Sequence, residues 1–215
     1  MKVISVNIAN PVTFERKGRL VQTGLYKKPV ESPVLLDTDG VAGDTVSDRR
    51  HHGGPDKACY LFGANHYAYW QALYPHLEWS PGMFGENLTV SVFEESSFRI
   101  GDVLQVGEAI VRISQPRQPC YKLAHRFGDP EMVRRFLASG HSGAYLRVLQ
   151  PGYVRTSDAI YLLAREAGGM RLDEVFALFD PGRRDVAALR RALALPTLAQ
   201  AARKDLEKLL RVSGS

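Results

Sequence analysis

The stretch Ser114-Gln115-Pro116-Arg117-Gln118-Pro119-Cys120-Tyr121-Lys122 sets one of the chain's two cysteines on a cationic turn braced by two prolines. A prolyl ring fixes φ and removes an N–H donor, so Pro116 and Pro119 stop the β-branched run Ala109 to Ile113 and stiffen the loop after it. Cys120 is thereby presented rather than packed. Arg117, Lys122 and His125 lie close in sequence, and positive charge beside a thiol favours thiolate, the form that attacks electrophiles and binds soft metals. Cys59 sits inside the apolar run Ala58-Cys59-Tyr60-Leu61-Phe62 and reads as a structural thiol.

Two further segments carry polar groups at turns. In His51-His52-Gly53-Gly54-Pro55-Asp56-Lys57 the paired glycines let backbone amides approach a ligand, and Lys57 adds a cation at the mouth of the next strand. Such a loop suits an oxyanion; a plain polar turn is the alternative. Adjacent histidines do not suit zinc, since residues i and i+1 rarely face one ion and no Cys-x-x-Cys or His-x-x-x-His partner exists. In Phe84-Gly85-Glu86-Asn87-Leu88-Thr89 the glycine permits a tight bend, and Asn87 offers an amide suited to the donor and acceptor edge of a heterocycle. The chain has no Gly-x-Gly-x-x-Gly, Walker loop, Gly-x-Ser-x-Gly or His-Glu-x-x-His.

Taken in order, Thr23 to Val30, Gly40-Val41-Ala42-Gly43-Asp44, His52 to Ala58, Phe84 to Leu88, Gly101-Asp102 and Gln115 to Lys122 resemble the MOSC domain, the family of the molybdenum cofactor sulfurase C-terminal domain, in its YiiM-like branch. The likeness runs from Thr23 to Leu163, and the helical tail is similar to the C-terminal three-helix domain of that branch. The resemblance implies a mainly β fold, a MOSC-type β-barrel with a few helices, in which Cys120 either ligates the metal of a molybdopterin-type molybdenum cofactor or carries sulfur. It points to reduction of N-hydroxylated bases or related N-oxygenated compounds. Lys57, Arg117 and Lys122 are then candidates for the cofactor's phosphate. His52, Gly53, Gly54, Asp56, Asn87, Gln115 and Tyr121 would surround the rest of the cofactor or the substrate. No flavin, haem or iron–sulfur motif is visible, so electrons are expected from a partner protein. The alternative is a sulfur carrier whose Cys120 persulfide comes from a pyridoxal-phosphate-dependent desulfurase, the pyridoxal phosphate staying on that enzyme.

The rest of the chain must position these groups. Short alternating or β-branched runs predict strands at Lys2–Ile8, Val34–Leu36, Ala58–Phe62, Asn87–Val92, Val103–Val106, Ala109–Ile113, Tyr145–Leu149 and Ile160–Leu163, with Gly107-Glu108 as a hairpin turn. Tyr67, Trp70, Gln71 and Tyr74 form a helical stripe read as core, and Asp129-Pro130-Glu131 opens a helix over Met132 to Leu137. Beyond Gly168-Gly169, read as a hinge, apolar residues recur at helical spacing from Leu172, from Val186 and from Leu198, the last behind a Thr197–Gln200 capping box. The chain thus divides into a domain at 1–167 and a three-helix domain at 170–212. The tail's surplus of apolar residues needs cover from the β-domain or from a second copy in a homodimer.

The net charge of +5 and isoelectric point of 9.3 admit nucleic acid, an anionic membrane or a phosphate-bearing ligand. The cations are scattered pairs such as Arg134-Arg135 and Arg190-Arg191, without a long basic run, which favours a small anion over nucleic acid. No run reaches the roughly 20 apolar residues of a spanning helix, and Met1 to Asn7 lacks a signal peptide's apolar stretch. A cytoplasmic location with reduced thiols is the expectation.

Overall fold

The computed structural model describes residues 1–47 and 53–213. Its strands are β1 (Val3–Ile8), β2 (Val12–Arg16), β3 (Arg19–Thr23), β4 (Lys28–Val30), β5 (Val34–Asp37), β6 (Gly40–Val41), β7 (Cys59–Gly63), β8 (Leu88–Val90), β9 (Val103–Val106), β10 (Ala109–Pro116), β11 (Ala144–Gln150), β12 (Gly152–Val154) and β13 (Ile160–Ala164). The helices are α1 (Tyr67–Leu73), α2 (Tyr121–Phe127), α3 (Met132–Ser139), α4 (Leu172–Ala177), α5 (Val186–Ala194) and α6 (Gln200–Ser213). All eight expected strand runs are present. The hairpin β2–β3 and the short β4, β6 and β12 are additions, and so is α2, which begins directly after Cys120.

One eight-stranded sheet runs β13-β9-β10-β11-β7-β8-β1-β4, antiparallel throughout except for the parallel pair β7–β8. The β-barrel that the resemblance implies is not closed here. β13 meets β1 only at the bridge Lys2↔Ala159 and at a few bonds such as Ile160 N–H to the Met1 carbonyl, 2.9 Å. The physical reason is that β4 already occupies the outer edge of β1 over Val6–Ile8, so only the first residues of β1 can reach the far strand. A three-stranded sheet β12-β5-β6 and the separate β2–β3 ribbon complete the strands.

Two apolar clusters hold the fold. One joins Leu104, Val106, Val111 and Ile113 of the sheet to Leu172, Val175, Leu189, Ala202 and Leu206 of the tail. The other is aromatic, with Phe62, Trp70, Phe84, Phe127, Phe136 and Phe176 beneath α1, α2 and α3. Trp70 and Tyr74 are buried as their spacing predicts, and the Trp70 ring lies 5.5 Å from Phe84 and 5.8 Å from Phe136. Fully burying each such side chain is worth about 1.5–3 kcal/mol.

The tail therefore packs on the sheet. Gly168-Gly169 does not act as a free hinge: immediately after it Ile100 N–H donates to the Met170 carbonyl at 3.0 Å, Leu172 N–H to Phe98 at 2.9 Å, and Arg99 bridges Arg171. The Thr197–Gln200 capping box is not formed either. Thr197 Oγ1 is buried without a partner among the described residues, and the Gln200 N–H donates instead to Asp56 Oδ2 at 3.0 Å. Tertiary contact replaced a local cap, because the first turn of α6 abuts the loop before β7. At α3 Asp129 acts two residues ahead of the N-cap Glu131, its Oδ1 accepting the Glu131 N–H at 2.8 Å.

Candidate functional site

β10 carries Ser114 and Gln115 into the interior and ends at Pro116; Cys120, extended at φ −133°, is the N-cap of α2, and Leu123 N–H donates to its carbonyl at 2.9 Å. Helix α2 sorts its side chains by period. Tyr121 and His125, four residues apart, face the β2–β3 ribbon, where Arg16 lies 3.9 Å above the Tyr121 ring and Phe14 stacks on His125 at 3.8 Å. Lys122 turns the other way, into a pocket, and its Nζ donates to the Gln22 carbonyl at 3.2 Å.

That pocket, about 80 Å³, gathers residues from six segments: Gly24, Leu25 and Lys27 after β3, Asp44 to Ser47, Lys57 and Tyr60 around β7, Gly85 and Asn87 before β8, Arg117, Cys120 and Lys122 around the start of α2, and Tyr145 on β11. Backbone approach is close on its wall. A Cβ on Gly24 would overlap the Thr45 carbonyl, and Gly85, at φ +79°, could gain a Cβ only 2.5 Å from Leu25 Cδ1. A side chain at either point would displace the wall.

Electrostatically the pocket is cationic, with one neutralised position. Lys27 and Asp44 form a buried ion pair; Asp44 also accepts from Ala9 N–H at 2.8 Å and Asn87 Nδ2 at 2.9 Å. Burial pulls the Lys27 pKa down, with Asp44 opposing. Arg117 is buried against the Tyr60 and Phe136 rings, 5.1 and 5.4 Å from their centroids, yet no carboxylate pairs with it among the described residues. Its Nη1 is buried with no hydrogen-bond partner. An unpaired buried guanidinium is costly unless an anion or rings compensate it. The Lys57 Nζ lies 5.7 Å from the centroid of the Tyr145 ring, which itself packs on Tyr60.

The structure thus brings together five of the expected site residues, Lys57, Asn87, Arg117, Cys120 and Lys122. Asn87 lines the pocket but its amide is committed: Oδ1 accepts from Tyr60 N–H at 3.1 Å, and Nδ2 donates to the Asn7 carbonyl and to Asp44. It ties three segments together rather than reading a ligand edge. Glu86 beside it accepts from Gly82 N–H, Phe84 N–H, Thr89 Oγ1 and Tyr67 Oη, a carboxylate buried to hold its loop. Asp56 points away, its Oδ1 accepting from Arg147 Nε at 2.8 Å and its Oδ2 capping α6. Gln115 is buried outside the pocket, Tyr121 faces the ribbon, and Gly53 and Gly54 precede Lys57 without lining the pocket. His52 lies outside the described residues.

Lys27, Asp44, Tyr60 and Tyr145 also line the pocket, beyond the site residues expected from the sequence. A signal existed for two of them, because Lys27 and Asp44 stand inside the Gly-rich segments Thr23–Val30 and Gly40–Asp44. Tyr60 and Tyr145 read as strand residues, and nothing in their spacing says which face of β7 and β11 meets the pocket.

Residues 48–161 match the family model for the MOSC domain, and the chain belongs to the MOSC domain family, one associated with molybdenum cofactor binding. Within it the chain is YiiM-like: it superposes on the crystal structure of YiiM from Geobacillus stearothermophilus with a TM-score of 0.80 at 30% identity, covering 97% of this chain and 98% of that one. A Bacillus subtilis protein described as "Uncharacterized protein YflK" is 37% identical over 206 residues, 96% of this chain and 93% of its own length. A protein named "Reductase" from Gibberella moniliformis is 33% identical over 156 residues, 70% of this chain and 28% of its own. No helix among the described residues is long and apolar enough to cross a membrane.

Proposed function

We propose that this MOSC protein is a molybdenum-cofactor-dependent reductase of N-hydroxylated bases or related N-oxygenated compounds, with Cys120 as the metal's protein ligand. The observation that carries the reading is the convergence in one pocket of a half-buried thiol with Lys57, Arg117 and Lys122, the second holding a buried, unpartnered Nη1. A soft sulfur donor beside several cations, one with a buried unpartnered Nη1, matches what a molybdenum centre on a phosphate-bearing pterin requires.

The cofactor, when bound, supplies a centre that exchanges two electrons and takes oxygen from the substrate. This chain's own residues do the rest. Cys120 would hold the metal from the strand-to-helix junction, where it is the N-cap of α2. Arg117 and Lys122 meet the phosphate, Arg117 already charged and oriented by its aromatic walls, so little ordering remains to be done on binding. Lys57 would offer a proton donor, and the close backbone approach at Gly24 and Gly85 narrows the pocket. The overall change is R–NHOH + 2e⁻ + 2H⁺ → R–NH₂ + H₂O: the N–O bond breaks, the oxygen leaves as water, and the electrons come from a partner protein.

The test is elemental analysis of protein made in a cofactor-producing host, with mass spectrometry of Cys120 and turnover of an N-hydroxylated base driven by reduced methyl viologen. Molybdenum bound near one per chain, lost in Cys120→Ser, is the expected result. Metal-free protein carrying an added sulfur on Cys120 would replace this reading with the sulfur carrier.

A further inference from the structure

The β2–β3 ribbon stands outside the main sheet and ends in the turn Arg16-Lys17-Gly18-Arg19, with Lys17 at φ +51° and Gly18 at φ +73°. Two positive φ values define the hairpin turn whose first position favours asparagine or glycine, so a lysine there goes against the turn's own preference. Arg16 and Arg19 are also direct cross-strand partners, an arrangement in which like charges repel. Arg16, Lys17 and Arg19 are exposed, and none forms an ion pair among the described residues; the ribbon's one acid, Glu15, faces Leu20 in the register. Three cations are thus gathered at one tip despite mutual repulsion, Lys17 against its backbone preference and Arg16 resting on the Tyr121 ring. Leu20 beside them is 79% exposed.

Beneath the ribbon lies a groove lined by Phe14, Arg16, Tyr121, Ala124 and His125, whose one carboxylate, Asp129, is already engaged by Arg135 and the Tyr74 hydroxyl. The Phe14–His125 stack and the Lys122–Gln22 bond anchor the ribbon to α2, the helix whose N-cap is Cys120. Tyr121, on the groove floor, is the next residue in the chain after Cys120 and is 37% exposed. A body seated on the tip and groove would lie over the outer face of the helix turn whose cap is the thiol.

We propose that this tip and groove form the docking surface for an acidic electron-carrier protein, its carboxylates meeting Arg16, Lys17 and Arg19 and an apolar contact meeting Leu20. The inference rests on the redox reading above, in which the partner gives up two electrons, one at a time, for each N–O bond broken. Small, charge-steered interfaces are the norm for such encounters, and they weaken with salt.

The experiment titrates the full chain with two acidic probes, a purified flavodoxin and a plant-type ferredoxin, across a range of salt. The variants are Arg16→Glu/Lys17→Glu/Arg19→Glu and the milder Lys17→Asn/Arg19→Gln. Asparagine suits the left-handed turn, so the milder variant keeps or gains thermal stability while losing charge, which separates docking from folding. At least one probe is expected to bind wild type saturably, with affinity falling as salt rises; the milder variant loses several-fold and the reversal at least ten-fold, while methyl-viologen-driven turnover is unchanged. Binding of neither probe, binding unaffected by the milder variant, or equal affinity for a single-stranded oligonucleotide would overturn the docking surface. Binding is read independently of turnover, so absence of viologen-driven activity in wild type would count against the redox reading alone.

Discussion

Cys59 and Cys120 are the same residue in two regions with opposite physics. Cys59 lies on β7, which is buried along its whole length, within the apolar cluster that the sheet shares with the tail. Burial pushes its thiol pKa far up, and the nearby Lys27 offsets this only in part. Cys120 sits where a strand has ended and a helix has not yet begun, half-exposed and facing a pocket with four cations, of which Lys27 is paired with Asp44. A thiol becomes available for chemistry through the element boundary it occupies, since a strand interior surrounds it with apolar neighbours and a cap does not.

The largest effect that would break this contrast is at Cys120. Cys120→Ser is expected to lower metal loading and turnover by more than about 100-fold, the upper end of what losing even a supporting partner costs a metal site. Its melting temperature should move by under about 2 °C, as for a substitution outside the core. Unchanged loading in the folded variant would end the assignment. Next comes Arg117. Because its side chain fills space between two rings, Arg117→Met, which keeps volume and removes charge, is a cleaner probe than alanine. Cofactor retention measured by dilution should weaken by about 1.5–3 kcal/mol, the worth of a hydrogen bond to a charged group. Retention equal to wild type would remove Arg117 from the phosphate site.

Cys59→Ser sharpens the contrast from the other side. A hydroxyl in place of that buried thiol should cost about 1–3 kcal/mol in urea unfolding, with turnover per folded molecule unchanged. A stable variant with lost turnover would show that the two cysteines act together. A smaller effect is expected at Asp56, which joins the pocket loop to the tail. Asp56→Ala removes a helix cap and an ion pair to a half-exposed arginine, for about 0.5–2 kcal/mol of stability. It should also raise the KM for substrate if Lys57, the next residue, is held in place through it; an unchanged KM would limit Asp56 to stability.

The smallest effect concerns a second place where burial forbids charge. His141 stacks on His66 at 3.9 Å, and burial, then the neighbouring His66, lower its pKa to about 4. For His66 burial also works against the charge, but the hydrogen bond and charge of Glu95 outweigh it and leave the pKa raised. The signs are opposite. His141, depressed in the folded state, contributes stability above the unfolded value of about 6.5 that is lost as pH falls towards 4. His66 contributes stability present below about 6.5 and lost as pH rises through its higher folded value. His141→Phe keeps the stack and removes one titration, so its stability should decline less than wild type between about pH 6.5 and 4. An identical acid limb would exclude His141 as a contributor.

Legibility followed the range of the forces involved. Period-two and period-3.6 patterns are local, and they located seven of the eight strands of the main sheet together with β5, the Trp70 helix and the three tail helices. The β2–β3 ribbon escaped because its turn is Lys-Gly in place of Asn-Gly and its strands are mostly exposed, with no buried face to pattern. Helix α2 escaped because two prolines before Cys120 read as a turn that would continue; they instead delivered the chain to a helix start. Barrel closure is not legible in the sequence, because whether the last strand reaches the first depends on which strand takes the edge of β1.

By itself the sequence determined that Cys120 would be set apart by prolines and surrounded by cations, that the chain is built from short strands with a helical tail, and that Cys59 would be structural. These follow from side-chain chemistry and from residues a few positions apart. Only the tertiary structure decided that Lys27, Asp44, Tyr60 and Tyr145 share the pocket, that Asp56 caps a helix 144 residues away, and that Tyr121 faces the ribbon. The reason is that an unpaired donor or charge on a loop has many partners available to it in sequence. Which one it meets is settled by the packing of apolar faces that lie far from it along the chain.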